Sequence, residues 1–234
     1  MPAAAAIPFA TLVSSTERAG KLADLRRHLS EKFPEPPSRK ETHFPTGLEP
    51  IDRLSRGLPR AAVTEICGSL GAGSLLIAAL VQAAQRNRCH AALVDGGRSF
   101  DSLDLPPLVL QRLLWVLCDG AAQAVKAADL LLRDGNLPLI LLDLQPLPTA
   151  QLQRIPASSW HRFHRIAEQG DAALVVLTPR PMIEGVRLRI AAENRWSLEA
   201  LTRRRRELIY ELDLKVFDKN AVFAALDREF HPNE

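Results

Sequence analysis

The residues with the clearest chemical spacing are the glycines of the segment Gly68-Ser-Leu-Gly-Ala-Gly-Ser-Leu75. A phosphate-binding loop reads G-x-x-x-x-G-K-[ST]: its backbone N–H groups cradle phosphate oxygens, its Lys reaches the β- and γ-phosphates, and its hydroxyl ligates Mg²⁺. Gly68 and Gly73 keep the glycine spacing, but Ser74 stands at the Lys position and Leu75 at the Ser/Thr position. A serine is too short to reach a γ-phosphate, and a leucine offers magnesium no oxygen. Gly68, Gly71 and Gly73 then have two readings. They form a remnant anion nest at a helix N-terminus, or they only allow a tight strand-to-helix turn.

Asp95 and Asp143 each close an apolar run. Side by side they would form a magnesium pair; without phosphates to share the ion, their role is hydrogen bonding to loop backbone at strand ends. Arg203, Arg204, Arg205 and Arg206 read as a basic turn that reaches nucleic-acid phosphates or an acidic partner, or is simply solvated. Arg39, Lys40, Arg53, Arg56 and Arg60 form a looser basic region with a solvated face as the default. Cys67, Cys89 and Cys118 show no ligand spacing and read as buried free thiols of a reducing cytoplasm. His90, His161 and His164 likewise lack a metal-ligand pattern. Trp115 and Trp160 read as core packing. No cofactor and no metal are expected.

The elements that must position these residues follow from periodicity. Thr16–Phe33 places Leu22, Leu25, Leu29 and Phe33 on one face of an amphipathic helix, ended by Pro34, Pro36 and Pro37. That face docks on a partner or folds back on its own core. Strands are expected at Ala62–Cys67, Cys89–Val94, Leu113–Cys118, Leu137–Leu144 and Ala172–Leu177. Helices are expected over Ser74–Arg86, Ala121–Arg133 and from Ser158 to Gly170. Regular strand–helix alternation implies an α/β fold, a mostly parallel sheet with helices on both faces. Val186–Ile190 and the alternating stretch Leu208–Val216 read as an antiparallel extension on one sheet edge. The expected organisation is a tail, helix and Pro-rich linker over 1–38, a core over 39–219 and a C-terminal tail over 220–234.

The chain has 234 residues, 47% apolar and 24% charged, with a formal charge of +3. That composition excludes wholesale disorder and permits nucleic acid without demanding it. No apolar run approaches the roughly 18 residues of a spanning helix, so no membrane is expected and the localisation reads as cytoplasmic.

Taken together, Phe44-Pro-Thr-Gly-Leu-Glu-Pro-Ile-Asp-Arg-Leu54, Gly57-Leu-Pro-Arg-Ala-Ala-Val-Thr-Glu-Ile-Cys-Gly68, the Asp95-bearing run from Ala91 to Asp101, and Leu137-Pro-Leu-Ile-Leu-Leu-Asp-Leu144 resemble a RecA-like P-loop NTPase core. The likeness covers about two-thirds of the chain, residues 44 to 190. It implies that Asp143 matches the Walker B aspartate and that Gly97 stands where RecA carries the glutamate that polarises the attacking water. Without phosphate clamp and general base, phosphoryl transfer has lost groups each worth on the order of 10²- to 10³-fold in rate. Only the eight residues 178–185 separate the fifth core strand from Val186, too few for a mobile DNA-binding loop. A core of this size with a dismantled site, together with the segment Arg112–Gly135, resembles the ImuA family of mutagenic translesion synthesis. That resemblance implies a non-catalytic protein that binds RecA and an ImuB-type relative of the Y-family polymerases, and through them a DnaE-type polymerase, with weak DNA contact. The alternatives are a SulA-like division inhibitor binding FtsZ, or a weak nucleotide- or DNA-binding module.

Overall fold

Three short runs in this chain are apolar almost to their last residue, Ala91–Asp95, Leu139–Asp143 and Ala173–Thr178, and a fourth, Ala62–Gly68, is apolar but for Thr64 and Glu65. Such runs suit strands buried on both faces. In the computed structural model, which describes residues 42–218 except 104, 195 and 197, together with Asp24, all four lie inside one sheet. The chain divides at Glu41/Thr42, and the unit described below begins at Thr42.

In chain order the elements are β1 (His43–Phe44), α1 (Glu49–Ser55), β2 (Leu58–Pro59), β3 (Ala62–Gly68), α2 (Leu70–Arg86), β4 (Ala91–Asp95), α3 (Pro107–Leu110) and β5 (Leu113–Leu117). Then come α4 (Ala121–Asp134), β6 (Leu139–Asp143), α5 (Thr149–Leu152), α6 (Ala157–Gln169), β7 (Ala173–Thr178), β8 (Leu188–Glu193), α7 (Arg205–Leu208) and β9 (Asp213–Asp218). Short 3₁₀ turns at Leu198–Thr202 and Ile209–Glu211 flank α7. The seven-stranded sheet runs β5-β4-β6-β7-β3-β8-β9. All its pairings are parallel except β8 with β9. The α/β class with a mostly parallel sheet, flanking helices and an antiparallel edge is therefore observed.

Alternation along each strand sends neighbours to opposite faces. Leu139 and Leu141 pack with Leu76, Leu80 and Ile190 on the α2 side. Ile140 and Leu142 pack with Ala124, Ala128 and Phe163 on the α4 and α6 side. Each fully buried large side chain contributes about 1.5–3 kcal/mol. Helix α4 presents Ala121, Ala124, Val125, Ala128 and Leu132 as one stripe and stops at Gly135, whose φ of 72° is the left-handed cap that glycine supplies. The opening segment is held by Asp52, whose carboxylate accepts the Thr46 and Gly47 N–H groups at 3.0 and 2.7 Å.

Several expectations are corrected. Helix α2 begins at Leu70, four residues before Ser74, because Gly73 N–H already donates to the Ser69 carbonyl at 3.0 Å. The strand expected at Val186–Ile190 is Leu188–Glu193, and it joins β3 in parallel, so only β9 is antiparallel. The alternation from Leu208 to Val216 is interrupted: α7 and a 3₁₀ turn carry the chain to Glu211, and the strand spans Asp213–Asp218. Trp115 lies on an edge strand and is 38% exposed, whereas Trp160 is buried. Apart from Asp24, the helix expected at 16–33, with Leu22, Leu25 and Leu29, and the tail beyond 220 lie outside the described residues.

Candidate functional site: the C-terminal edge of the sheet

Parallel strands bring their C-terminal ends to one edge, where open α/β sheets bind ligands. Here that edge gathers Gly68 of β3, Asp95 of β4, Asp143 of β6 and Thr178 of β7. The register sets Asp95 beside Asp143 and Cys67 beside Thr178. Sequence reasoning thus named residues that the fold does assemble.

The glycine segment is wound into helix. Gly71, Ala72 and Gly73 belong to α2, and side chains from other elements pack against the two glycines. A Cβ at Gly73 would collide with Gln145 Oε1, and one at Gly71 would lie 2.8 Å from Asn194 Nδ2 and 3.2 Å from Trp196 Cζ3. Ser69 Oγ donates to Asn194 Oδ1 at 3.0 Å, and Gln145 Nε2 donates to the Gly68 carbonyl at 3.3 Å and the Thr178 carbonyl at 3.4 Å. Ser74 and Leu75 sit further along the same helix, with Leu75 buried in the core. Gly68 is required for a different reason: its φ is 146°, and any Cβ would overlap the Ala192 carbonyl oxygen across the β3–β8 pair.

Both aspartates hold loop backbone. Asp95, fully buried, accepts from Ser99 N–H at 3.0 Å, from Phe100 N–H at 3.1 Å and from Trp115 Nε1 at 3.3 Å. Asp143 accepts from Gln145 N–H at 3.0 Å and from Ser99 Oγ at 3.4 Å. At Gly97 a Cβ would lie 2.6 Å from Pro146 Cβ, so a side chain there would require a shift of the neighbouring turn. Among the described residues no group of three or more His, Cys, Asp or Glu could hold a metal ion.

Burial pushes the Asp143 carboxyl up to about 6; the Asp95 charge alongside adds to this, while the hydrogen bonds from Gln145 and Ser99 oppose it. The folded state therefore binds a proton more readily than the unfolded chain. Stability falls as pH rises from about 4 to 6 and stays penalised above that window. Asp143→Asn is expected to raise the unfolding free energy by about 3 kcal/mol at pH 7.5 and by less than about 1 kcal/mol at pH 4. Paired denaturant titrations at the two pH values check this.

The residue that sequence reasoning missed is Glu65. It lies inside β3 with no exposed surface and accepts from Thr178 Oγ1 at 3.1 Å, Met182 N–H at 2.8 Å, Ile183 N–H at 3.2 Å and Arg189 Nε at 2.7 Å. Arg189 also donates to the Ile183 carbonyl at 2.6 Å. The short segment after β7 is thereby clamped to the sheet. The one available signal was a charged residue in the middle of Ala62-Val-Thr-Glu-Ile-Cys67.

The arginines of the basic turn are partly engaged. Arg203 pairs with Glu211 at 2.6 Å and Glu207 at 3.9 Å, and Arg205 pairs with Asp101 at 2.5 Å. Arg204 and Arg206 are exposed, and all four arginines line a cavity of about 380 Å³ with Gln82 and Leu105. In the looser basic region Arg53 pairs with Glu49 and Arg60 with Asp171. The described cysteines are free thiols; Cys67 and Cys118 are buried, and desolvation raises all three thiols above their ordinary value. A separate cavity of about 540 Å³, between α4 and α6, is lined by Val125, Lys126, Arg154, Ile155 and Ser159 and had no signal in the sequence.

No family model and no curated protein matches the chain. Among the described residues no helix is long and apolar enough to cross a membrane.

Proposed function

We propose that the chain is a RecA-like accessory protein without ATPase activity, acting through protein contacts in DNA-damage-induced mutagenic translesion synthesis. Its partners in this reading are RecA and an ImuB-type relative of the Y-family polymerases, with a DnaE-type polymerase reached through them. The identification with the ImuA family rests on the residues quoted above. The single observation that most supports a non-catalytic role is the glycine segment at the ligand-binding edge of the sheet. It keeps the spacing of a phosphate loop, yet it is wound into α2 and packed by Gln145, Asn194 and Trp196.

The clamp on residues 178–183 supports the same reading. A mobile DNA-binding loop needs freedom that Glu65 and Arg189 remove by holding this segment at both amides and a carbonyl. In this reading the α/β unit docks beside RecA or a polymerase relative without ATP-driven release.

The wild-type chain is expected to show no saturable Mg–ATP binding in calorimetry at millimolar nucleotide. The double variant Ser74→Lys/Leu75→Thr is expected to stay equally silent, because restoring two side chains on a helix does not rebuild a loop of amides. Saturable magnesium-dependent binding by the wild type would contradict the reading. For the partner face, charged replacements of Leu22, Leu25 and Leu29 should abolish partner binding while leaving the thermal transition of the core in place. Unchanged affinity, or loss of the fold, counts against that face.

A further inference from the structure

The two edges of the seven-stranded sheet are built differently. β9 carries Asp213 and Lys215, both exposed, the kind of charges with which edge strands resist pairing. β5, at the other edge, reads Leu113-Leu-Trp-Val-Leu117 and has no charge, Gly or Pro. Leu114, Trp115 and Leu117 are 47%, 38% and 50% exposed.

The backbone of β5 is half used. At one end Ala91 N–H donates to the Arg112 carbonyl, and at the other Cys118 N–H donates to the Asp95 carbonyl. In a parallel ladder of that register, the groups of residues 114 and 116 face β4. The N–H and C=O groups of Leu113, Trp115 and Leu117 therefore point outward, a row of donors and acceptors unpaired among the described residues and beside exposed apolar side chains.

We propose that β5 pairs antiparallel with β5 of a second copy of this chain about a two-fold axis at Trp115, joining two sheets into one. The charges at the strand ends favour this occupant. Arg112 precedes the strand and Asp119, 70% exposed although paired with Arg98, follows it. Antiparallel pairing brings the basic end of one copy beside the acidic end of the other; parallel pairing would set like beside like. A two-fold axis normal to the sheet keeps each residue on its own face, so opposing residues must differ by an even number. Centring on Trp115 meets this and sets Leu113 opposite Leu117 of the second copy. All the outward groups of the row are then used in hydrogen-bonded pairs. A closed pair of this kind also ends the exposed edge, which an open heterologous contact would not.

Sedimentation equilibrium of the full chain should give twice the 25.8 kDa chain mass. The double variant Leu114→Lys/Leu117→Lys should raise the dissociation constant at least about 30-fold, with unchanged circular dichroism. Independently of that variant's fold, Trp115→Cys should form an intermolecular disulfide on mild oxidation, because hydrogen-bonded partners on the axis stand about 5.5 Å apart at Cα, within disulfide reach. Leu130→Cys, exposed on α4, should not. A monomeric wild type at its highest soluble concentration overturns the proposal, including when β5 instead accepts an extended peptide of another protein. So does a dimer that survives both lysines, or one in which the Trp115→Cys variant fails to cross-link.

Discussion

Glu65→Ala is expected to lower the unfolding free energy by about 3–5 kcal/mol, the cost of breaking a buried ion pair by removing one partner. The carboxylate has no exposed surface and satisfies four donors at once: a hydroxyl, two backbone amides and a guanidinium. Truncation leaves the Met182 and Ile183 amides unpaired and Arg189, one-third exposed, without its counter-charge. Urea titration should show the loss as a lower midpoint. The loop after β7 should also become sensitive to a glutamate-specific protease at the exposed Glu184 before the sheet itself opens. A change below about 1 kcal/mol would mean that the clamp contributes no more than an ordinary surface pair.

Gly68→Ala is expected to cost about 3 kcal/mol or more. Two penalties act together, a φ of 146° that an L side chain rarely adopts and a Cβ driven into the Ala192 carbonyl. Because β3 lies between β7 and β8, its shift disturbs two strand pairs. Gly71→Ala supplies the contrast: it stands within a helix, where alanine is favoured over glycine by about 1 kcal/mol. The atoms it meets are side-chain ends, Asn194 Nδ2 and Trp196 Cζ3. Its thermal midpoint should stay within a few degrees of wild type. Equal loss from both substitutions would contradict the view that these glycines serve the chain's own packing in different ways.

What could be read from sequence tracks the range of the interactions involved. The strands β4, β6 and β7 are short apolar runs, β3 is one interrupted by Thr64 and Glu65, and helix α4 is a clean periodic stripe, so local pattern identifies them. The positions of Asp95 and Asp143 at strand ends followed from the same runs. Alternation misled at Leu208–Val216, because a helical turn and a strand can both show spaced apolar residues over so few positions. The direction of β8 was invisible, since it depends on which neighbour the strand joins. Trp115 was misplaced for the same reason: an apolar pentad reads identically at the centre and at the edge of a sheet.

The start of α2 was legible in principle, because nothing between Ser69 and Ser74 forbids helix, yet the glycine spacing drew attention to a loop. Gln145, Asn194 and Trp196 could not be linked to it in sequence. They arrive from elements tens of residues away, as the 77-residue separation of the Gln145–Gly68 hydrogen bond illustrates. Glu65 is a further case, with side-chain partners 113 and 124 residues distant. A charge inside a strand announces that partners must exist without saying which they are.

The measurement that bears most directly on the proposed function is binding of the purified full chain to purified RecA, to the ImuB-type polymerase relative and to FtsZ from the same source, on one immobilised surface. The account predicts saturable binding to RecA or the polymerase relative and none to FtsZ. Saturable binding to FtsZ alone would contradict it and make this chain a division inhibitor.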